Sequence, residues 1–172
     1  MKIKFLFLFV FVSVLGYGQN TKYVNLFMGT SGDNGQLSPA ATVPFGMIAV
    51  GPDSNPRTHA GYDYATDKIS GVSINRLSGV GCSGCGGNLS IRTSAPDQEL
   101  RIVKNTETAT PGYYATTFNN GVKGAFTATH NMAVQQYDFG KGADRSIWIN
   151  FASSFEGLID CEFKLKSNHE II

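Results

Sequence analysis

Apolar and polar side chains alternate along much of this chain, in short runs. The clearest runs are residues 146–151 and 159–166, in which Ile, Phe, Cys and Leu occupy every second position. Successive side chains of a strand point to opposite faces of a sheet, so this period of two predicts strands. Charged residues fill the intervening positions of 159–166, which predicts a half-buried strand there.

A hairpin is predicted around Asn119, Asn120 and Gly121. Asn and Gly adopt the positive φ angles that tight turns require, and strand-like runs flank them at 113–118 and 122–129. Further strand signals lie at 46–50, 69–74, 88–91, 100–104 and 132–139. After the first eighteen residues, no segment sustains the i, i+3, i+4, i+7 apolar pattern of a helix. Many short strands joined by turns predict an all-β fold, specifically an antiparallel β-sandwich.

Three loops interrupt this pattern. Residues 31–39 and 80–87 are rich in glycine, and residues 51–66 form a longer polar loop that contains His59 and Tyr62. Ordering such loops costs backbone entropy, and long loops in compact domains often carry function. We therefore expect a binding site to involve these loops.

The first eighteen residues have the composition of an export signal. Lys2 and Lys4 precede an apolar run over residues 5–15, and small residues follow it. That run is well short of the roughly 20 residues of a membrane-spanning helix. We expect cleavage after Gly18, a domain over residues 19–172 with no membrane span, and a periplasmic or extracellular location.

The charge balance narrows the class of partner. Removing residues 1–18, which carry two lysines, from the 172 residues leaves 154, with 12 Lys and Arg against 13 Asp and Glu. Affinity for nucleic acid comes mainly from clustered basic side chains, and the sequence has no such cluster. This argues against nucleic acid as a partner and suits a neutral ligand such as a sugar. The size is that of one domain.

The three cysteines do not define one chemistry. Cys82 and Cys85 form a C-x-x-C pair, and Cys161 stands apart. In an exported protein the pair is compatible with a strained disulfide, a redox pair or half of a metal site. A structural zinc site normally needs four ligands, and no second Cys or His pair has suitable spacing. We interpret the cysteines as structural residues, buried or disulfide-linked.

Residues 23–47 read Y-V-N-L-F-M-G-T-S-G-D-N-G-Q-L-S-P-A-A-T-V-P-F-G-M. This resembles the opening of the amino-terminal domain of glycoside hydrolase family 92, approximately Y-V-N-P-F-I-G-T, a Gly-rich loop and F-P-G-A-T-V-P-F-G-M. Other segments similar to the family follow in order, at residues 59–62, 71–82, 111–114 and 120–129. Each motif is short, but five in the same order make a chance match improbable.

The resemblance implies the amino-terminal β-sandwich of an exo-acting α-mannosidase. Members invert the anomeric centre, so an acid and a base roughly 6.5–9.5 Å apart are expected. These carboxyl groups, and the calcium that binds and distorts the mannoside, are expected on a helical (α/α) barrel that follows this domain. No residue of this chain matches a catalytic motif, and we expect none to be catalytic or metal-ligating. We expect a fragment, inactive alone, whose partners are a mannose-containing glycan and the missing catalytic domain.

The resemblance also implies that loops of this domain line one wall of the sugar pocket. The residues expected to approach the sugar are Asp33, Asn34, His59, Gly61, Tyr62, Arg76 and Ser78. Tyr62 suits stacking on a sugar face, while the polar side chains of the set suit hydrogen bonds to hydroxyls. Each also has a structural interpretation: Tyr62 in the core, His59 on a surface loop, Arg76 paired with a carboxylate.

Two features limit what carries over from the family. Residues 74–76 are Ile-Asn-Arg where many members have His-Thr-His, so the preferred mannose linkage does not transfer. Trp148 lies in a predicted strand, and we interpret it as core. Two other classes of function stay open: a free-standing carbohydrate-binding module and a structural or adhesive surface domain.

Overall fold

The computed structural model describes residues 20–32, 35–76, 86–141, 144–157 and 160–172. The expected export signal, the C-x-x-C pair and the candidate residues Asp33, Asn34 and Ser78 lie outside these ranges. Where the structure describes the chain, helix is confined to short 3₁₀ turns such as Asn20–Tyr23 and Lys104–Thr106. No helix in those ranges is long and apolar enough to cross a bilayer.

The larger of two main sheets is antiparallel and has five strands, numbered here in chain order. Its strands are β1 (Ala41–Thr42), β2 (Ala49–Asp53), β4 (Gly71–Ser73), β5 (Ser90–Arg92) and β11 (Trp148–Asn150). They lie side by side in the order β1-β2-β4-β5-β11. The polar loop predicted over residues 51–66 overlaps the last three residues of β2 and continues beyond them, so this sheet carries the candidate site.

The second main sheet is also antiparallel and consists of consecutive hairpins. Its strands are β7 (Thr108–Thr110), β8 (Tyr113–Thr117), β9 (Lys123–Ala128) and β10 (Ala133–Asp138), in the order β10-β9-β8-β7. Two small antiparallel pairs complete the fold: β3 (Lys68–Ile69) with β6 (Leu100–Arg101), and β12 (Leu165–Ser167) with β13 (Glu170–Ile171).

Side chains from both main sheets meet in one core. Val50 and Val72 from the five-stranded sheet and Tyr114 and Phe126 from the four-stranded sheet are all fully buried. The Tyr114 and Phe126 rings are stacked with centroids 6.0 Å apart. Burial alternates along β8 and β9, as the period of two predicts. The predicted antiparallel β-sandwich is confirmed.

The predicted hairpin is also confirmed, and it joins β8 to β9. Gly121 N–H donates to the Phe118 carbonyl at 2.9 Å, and Phe118 N–H donates to the Val122 carbonyl at 2.8 Å. Of the three connecting residues, Gly121 takes the positive φ, at +82°. Asn120 instead donates its side-chain amide to the Thr93 carbonyl at 2.8 Å.

Two predictions near the end of the chain are wrong. A half-buried strand was predicted over residues 159–166, but the described residues 160–164 form no strand. β12 begins only at Leu165, and Phe163 and Leu165 are exposed. Trp148 is not a core residue, since 46% of it is exposed on β11. Alternation reports which side chains share a face, but it does not report whether another layer covers that face.

Candidate functional site

A polar groove of about 440 Å³ lies beside the loop that follows β2. It is lined by Gly32, Asn55, Arg57, Thr58, His59 and Asp63. The lining combines an amide, a guanidinium, a hydroxyl, an imidazole and a carboxylate, which together donate and accept hydrogen bonds. A concave site with several convergent polar groups suits the orientation of a hydroxylated ligand.

Hydrogen bonds within the loop hold the groove in shape. The Gly61 carbonyl accepts from the N–H groups of Ser54 at 3.0 Å and Asn55 at 3.1 Å. Thr58 Oγ1 donates to the Asn55 carbonyl at 2.9 Å, and Asp63 N–H donates to Ser54 Oγ at 2.7 Å. Gly61 has a φ of +71°, a conformation that glycine adopts without strain. Gly61 therefore shapes the groove through its backbone.

His59 supplies an unsatisfied polar atom at this groove. Its Nδ1 is buried and has no hydrogen-bond partner among the described residues. Buried polar atoms in native proteins nearly always have a partner, so this nitrogen is an exception that a water or a ligand group entering beside the imidazole would explain. The groove is thus where the structure places one of the residues expected to approach the sugar.

Arg76 is buried beneath the loop and joins it to β2. Its Nη2 lies 2.6 Å from Asp53 Oδ1, and each of these side chains is 1% exposed. The same guanidinium donates to the carbonyls of Gly51 at 2.5 Å, Pro52 at 2.8 Å and Ala60 at 3.4 Å. This contradicts the expectation that Arg76 hydrogen-bonds the sugar and agrees with the alternative that it pairs with a carboxylate. Arg76 positions the loop residue that precedes Gly61.

Desolvation dominates the electrostatics of this pair. Burial raises the pKa of Asp53 to about 6, although the Arg76 charge and a hydrogen bond from Ser73 oppose the rise. Ser73 Oγ donates to Asp53 Oδ1 at 2.8 Å, whereas Asp53 Oδ2 has no partner among the described residues. A carboxyl group committed to an internal guanidinium is not placed to act as a glycosidase acid or base.

Asp53 should make the free energy of unfolding fall as the pH rises through its folded pKa. The folded-state pKa of about 6 lies above 3.8, the ordinary pKa of an Asp side chain. The contribution of Asp53 to the free energy of unfolding is therefore complete below its unfolded-state pKa. It is lost as the pH rises through the folded-state pKa. The expected loss is on the order of 2–3 kcal/mol. Urea titrations at several pH values should show this fall in the wild type, and Asp53→Asn should lack it. If the free energy of unfolding changes equally with pH in the two proteins, Asp53 is not the group responsible.

Tyr62 is a core residue. Its ring is fully buried, which contradicts the expectation that it stacks on a sugar. Its hydroxyl donates to Glu107 Oε1 at 2.6 Å, and Tyr114 donates to the same oxygen at 2.7 Å. Lys104 Nζ lies 2.8 Å from Glu107 Oε2. Burial, reinforced by Glu107, raises the pKa of the Tyr62 hydroxyl, so it stays protonated and remains a donor.

Tyr64 connects the cluster of Tyr62, Lys104, Glu107 and Tyr114 to the first turn of the domain. The Lys104 ammonium lies 4.5 Å from the centroid of the Tyr64 ring, which contacts Phe27 at a centroid distance of 5.3 Å. Tyr64 N–H donates to the Thr30 carbonyl at 2.9 Å. Because Gly32 follows in the same segment, these contacts fix both sides of the groove relative to each other.

Sequence reasoning missed part of the groove. Asn55 and Arg57 were not among the expected sugar contacts, although both lie in the polar loop expected to take part in binding. The intervening Pro56 is the signal that marks a turn between them. In the described ranges, no three His, Cys, Asp or Glu side chains lie close enough together to hold a metal ion.

Residues 23–172 match the Glycosyl hydrolase family 92 N-terminal domain. An uncharacterized secreted glycosidase from Arthroderma benhamiae is 26% identical over 136 residues, which cover 71% of this chain and 18% of that protein.

Solved structures give the same result. The gh92 family glycosyl hydrolase ccman5 superposes with a TM-score of 0.70 at 28% identity, over 78% of this chain and 21% of its own. The family GH92 alpha-mannosidase BT3965 from Bacteroides thetaiotaomicron has a TM-score of 0.70 at 29% identity, over 78% of this chain and 20% of its own. The chain spans about a fifth of the length of these proteins. Because the family match extends over residues 23–172, this chain belongs to the amino-terminal domain family of glycoside hydrolase family 92.

Proposed function

We propose that this chain is the amino-terminal domain of an exported glycoside hydrolase that removes α-linked mannose from glycans. One solved relative is named an alpha-mannosidase, and the relative from Arthroderma benhamiae is named a secreted glycosidase. Fold, identity and motif order all support a shared ancestry with these enzymes. A neutral sugar also suits the near-neutral charge of the domain.

The groove beside His59 forms one wall of the sugar pocket in this proposal. The observation that carries this role is the buried, unpartnered Nδ1 of His59 in a groove that also presents Asn55, Arg57 and Asp63. Sugar hydroxyls both donate and accept, so they match such a mixed lining. Asp33, Asn34 and Ser78 remain proposed neighbours of the same wall. Gly61, Tyr62 and Arg76 act behind it as positioning residues.

The bond-breaking groups are assigned to the rest of the enzyme. An inverting mechanism needs a carboxylic acid to protonate the leaving oxygen and a carboxylate to activate water on the opposite face of the sugar. Asp53 is buried and engaged by Arg76, so it is not placed for this task, and Asp67 lies in an exposed ion pair with Arg101 at 2.6 Å. Calcium is likewise assigned to residues outside this chain. We assign this domain substrate positioning and contact with the catalytic domain.

Replacing His59 with Ala in the full-length enzyme should lower kcat/KM for an α-mannoside by about 10- to 100-fold, because a hydrogen bond to the sugar is lost. His169→Ala is the matched control, since His169 is exposed on the turn between β12 and β13. Release of mannose from a chromogenic α-mannoside measures both variants. Equal kcat/KM values for the two variants would refute the role of His59.

The 172-residue chain alone should neither release mannose nor bind mannobiose tightly, because one wall of a shared pocket offers only part of the contacts. Calorimetric titration with mannobiose is the measurement. Micromolar affinity would support the alternative of a free-standing carbohydrate-binding module, and turnover by the chain alone would contradict the assignment of the carboxyl groups elsewhere.

A further inference from the structure

The face of the five-stranded sheet that points away from the core carries a polar cleft. Val72 belongs to the core and pairs with Ile91, so the residues next to them along each strand point outward. The strand register brings five side chains together on this outer face: Asp53, Ser90, Arg92, Trp148 and Asn150. Two depressions of about 390 Å³ and 640 Å³ lie there, and they share Ser70, Arg92, Asn150 and Ser153. We call the combined space the outer cleft.

Gly71 keeps the floor of the outer cleft low. A Cβ at this position would lie 2.2 Å from Ser90 Oγ and 3.2 Å from Arg92 Cγ, so the glycine leaves room for both side chains to lie close to the sheet. Trp148 lines only the smaller depression, and 46% of it is exposed. Phe155 lines only the larger one. Each part of the cleft therefore offers an aromatic ring beside a polar floor.

Polar atoms without a partner are concentrated at this cleft. Asp53 Oδ2, Ser90 Oγ and Arg92 Nε are three of the five buried side-chain atoms in the described ranges that lack a hydrogen bond. Asp53 and Ser90 are only 1% and 4% exposed. Buried polar groups nearly always have partners, so this concentration indicates a group that enters the cleft. A carboxylate oxygen accepts and a guanidinium nitrogen donates, and a hydroxyl group can satisfy both.

The charges of the lining favour an uncharged ligand. The Nη atoms of Arg92 donate to the carbonyls of Ser70 at 2.9 Å and Gln98 at 2.5 Å. Lys68, the other cation of the lining, pairs with Glu99 at 3.0 Å. An anion in the cleft would meet cations that already have partners, and it would be repelled by the Asp53 carboxylate. A ligand with several hydroxyl groups and no charge avoids both costs.

We propose that the outer cleft binds an uncharged hexose, with Trp148 stacked on the apolar face of the pyranose ring and Asn150 donating to a hydroxyl. Asn150 Oδ1 accepts from the Ala152 N–H at 3.1 Å, so the Nδ2 group is the donor that this side chain offers the cleft. The outer cleft and the His59 groove share no lining residue, so this hexose is additional to one bound in the groove. Only the choice of mannose as the hexose rests on the proposed function.

Fluorine NMR of the full-length protein labelled with fluorotryptophan tests the outer cleft at the stacking residue itself. Trp148→Phe identifies the Trp148 signal, because that variant lacks it. At least one of mannose, glucose and galactose should move this signal along a saturable curve, with a dissociation constant on the order of a few millimolar. No shift with any of the three, or a shift that rises linearly without saturating, would overturn the proposal. An equal response to glycerol, or saturation by sulfate at lower concentration, would also overturn it, since either result assigns the cleft to a different class of ligand.

A matched pair of variants tests the polar contact. Asn150→Asp keeps the acceptor for Ala152 N–H but removes the amide donor, so it should weaken hexose binding at the Trp148 signal by about three- to tenfold. Asn131→Asp makes the same change at an exposed turn residue outside the cleft and should leave the dissociation constant unchanged. Equal dissociation constants for the two variants would contradict the role of Asn150.

His59→Ala separates the outer cleft from the groove. It should leave the titration of the Trp148 signal unchanged, and a lost response would mean that the signal reports binding in the groove, which overturns the proposal. Mannose release by a protein whose Trp148 signal never responds would reject the outer cleft and leave the proposed function standing. A saturable response in a protein that releases no mannose would reject the proposed function and support the outer cleft.

Discussion

Replacing Arg76 with Met should lower the free energy of unfolding by about 3–5 kcal/mol. The substitution leaves the Asp53 carboxyl buried without its counter-charge and removes the donor to three backbone carbonyls. Removing one partner of a buried ion pair costs far more free energy than the intact pair contributes, because the remaining charge is left buried and uncompensated. Urea unfolding followed by circular dichroism at neutral pH measures the change.

Arg101→Met is the matched control for this effect. Arg101 also pairs with carboxylates, Asp67 at 2.6 Å and Glu99, but its side chain is 43% exposed. Water solvates the carboxylates that remain, so the expected cost is below about 1 kcal/mol. If the two Met variants lose similar stability, burial of the Arg76 pair is not what makes it important.

Replacing Gly61 with Ala should lower the free energy of unfolding by about 2–4 kcal/mol, because the added Cβ causes both overpacking and backbone strain. A Cβ at Gly61 would lie 2.3 Å from Cε2 and 2.6 Å from Cζ of Phe155. Gly87 encloses the same ring, since a Cβ there would lie 2.5 Å from Phe155 Cε1. The ring therefore has little room to move. Because the Gly61 carbonyl also holds Ser54 and Asn55, the variant should weaken sugar binding by the full-length enzyme as well.

Gly121→Ala separates the two contributions. Gly121 also has a positive φ, +82°, but no atom lies within 4 Å of an added Cβ. Its expected cost is the backbone strain alone, about 1–2 kcal/mol. The difference between the two variants in the free energy of unfolding, measured by thermal denaturation, then gives the cost of the contact with Phe155. Identical losses would show that Phe155 yields without cost.

The fold was largely predictable because its main determinants are local. The turn at Gly121 and the alternation in β8 and β9 appear within a few residues of sequence, and they define the four-stranded sheet. Very short strands gave no such signal: β1 has two residues, and β7 is Thr-Ala-Thr. Their pairing depends on neighbours that fold onto them, so a pattern along the chain does not show it.

The site was less predictable because its contacts join distant parts of the chain. Tyr62 and Glu107 are 45 residues apart, and Arg76 and Asp53 are 23 apart. In a loop sequence a Tyr or Arg reads equally well as a ligand contact or as a buried partner of a carboxylate. The resemblance to the family indicated the loop that lines the groove, but the positions of Tyr62 and Arg76 relative to that groove required knowledge of which side chains are covered.

The position of β11 at the side of the five-stranded sheet affects how the isolated domain behaves in solution. Among the described strands β11 pairs with β5 alone, and Trp148, Ile149 and Asn150 are all exposed. Free backbone donors and acceptors beside apolar side chains form a template onto which the strand of another molecule can add. Ordered aggregation of the separated domain would therefore start at this strand, and a layer covering it would act as protection against misassembly.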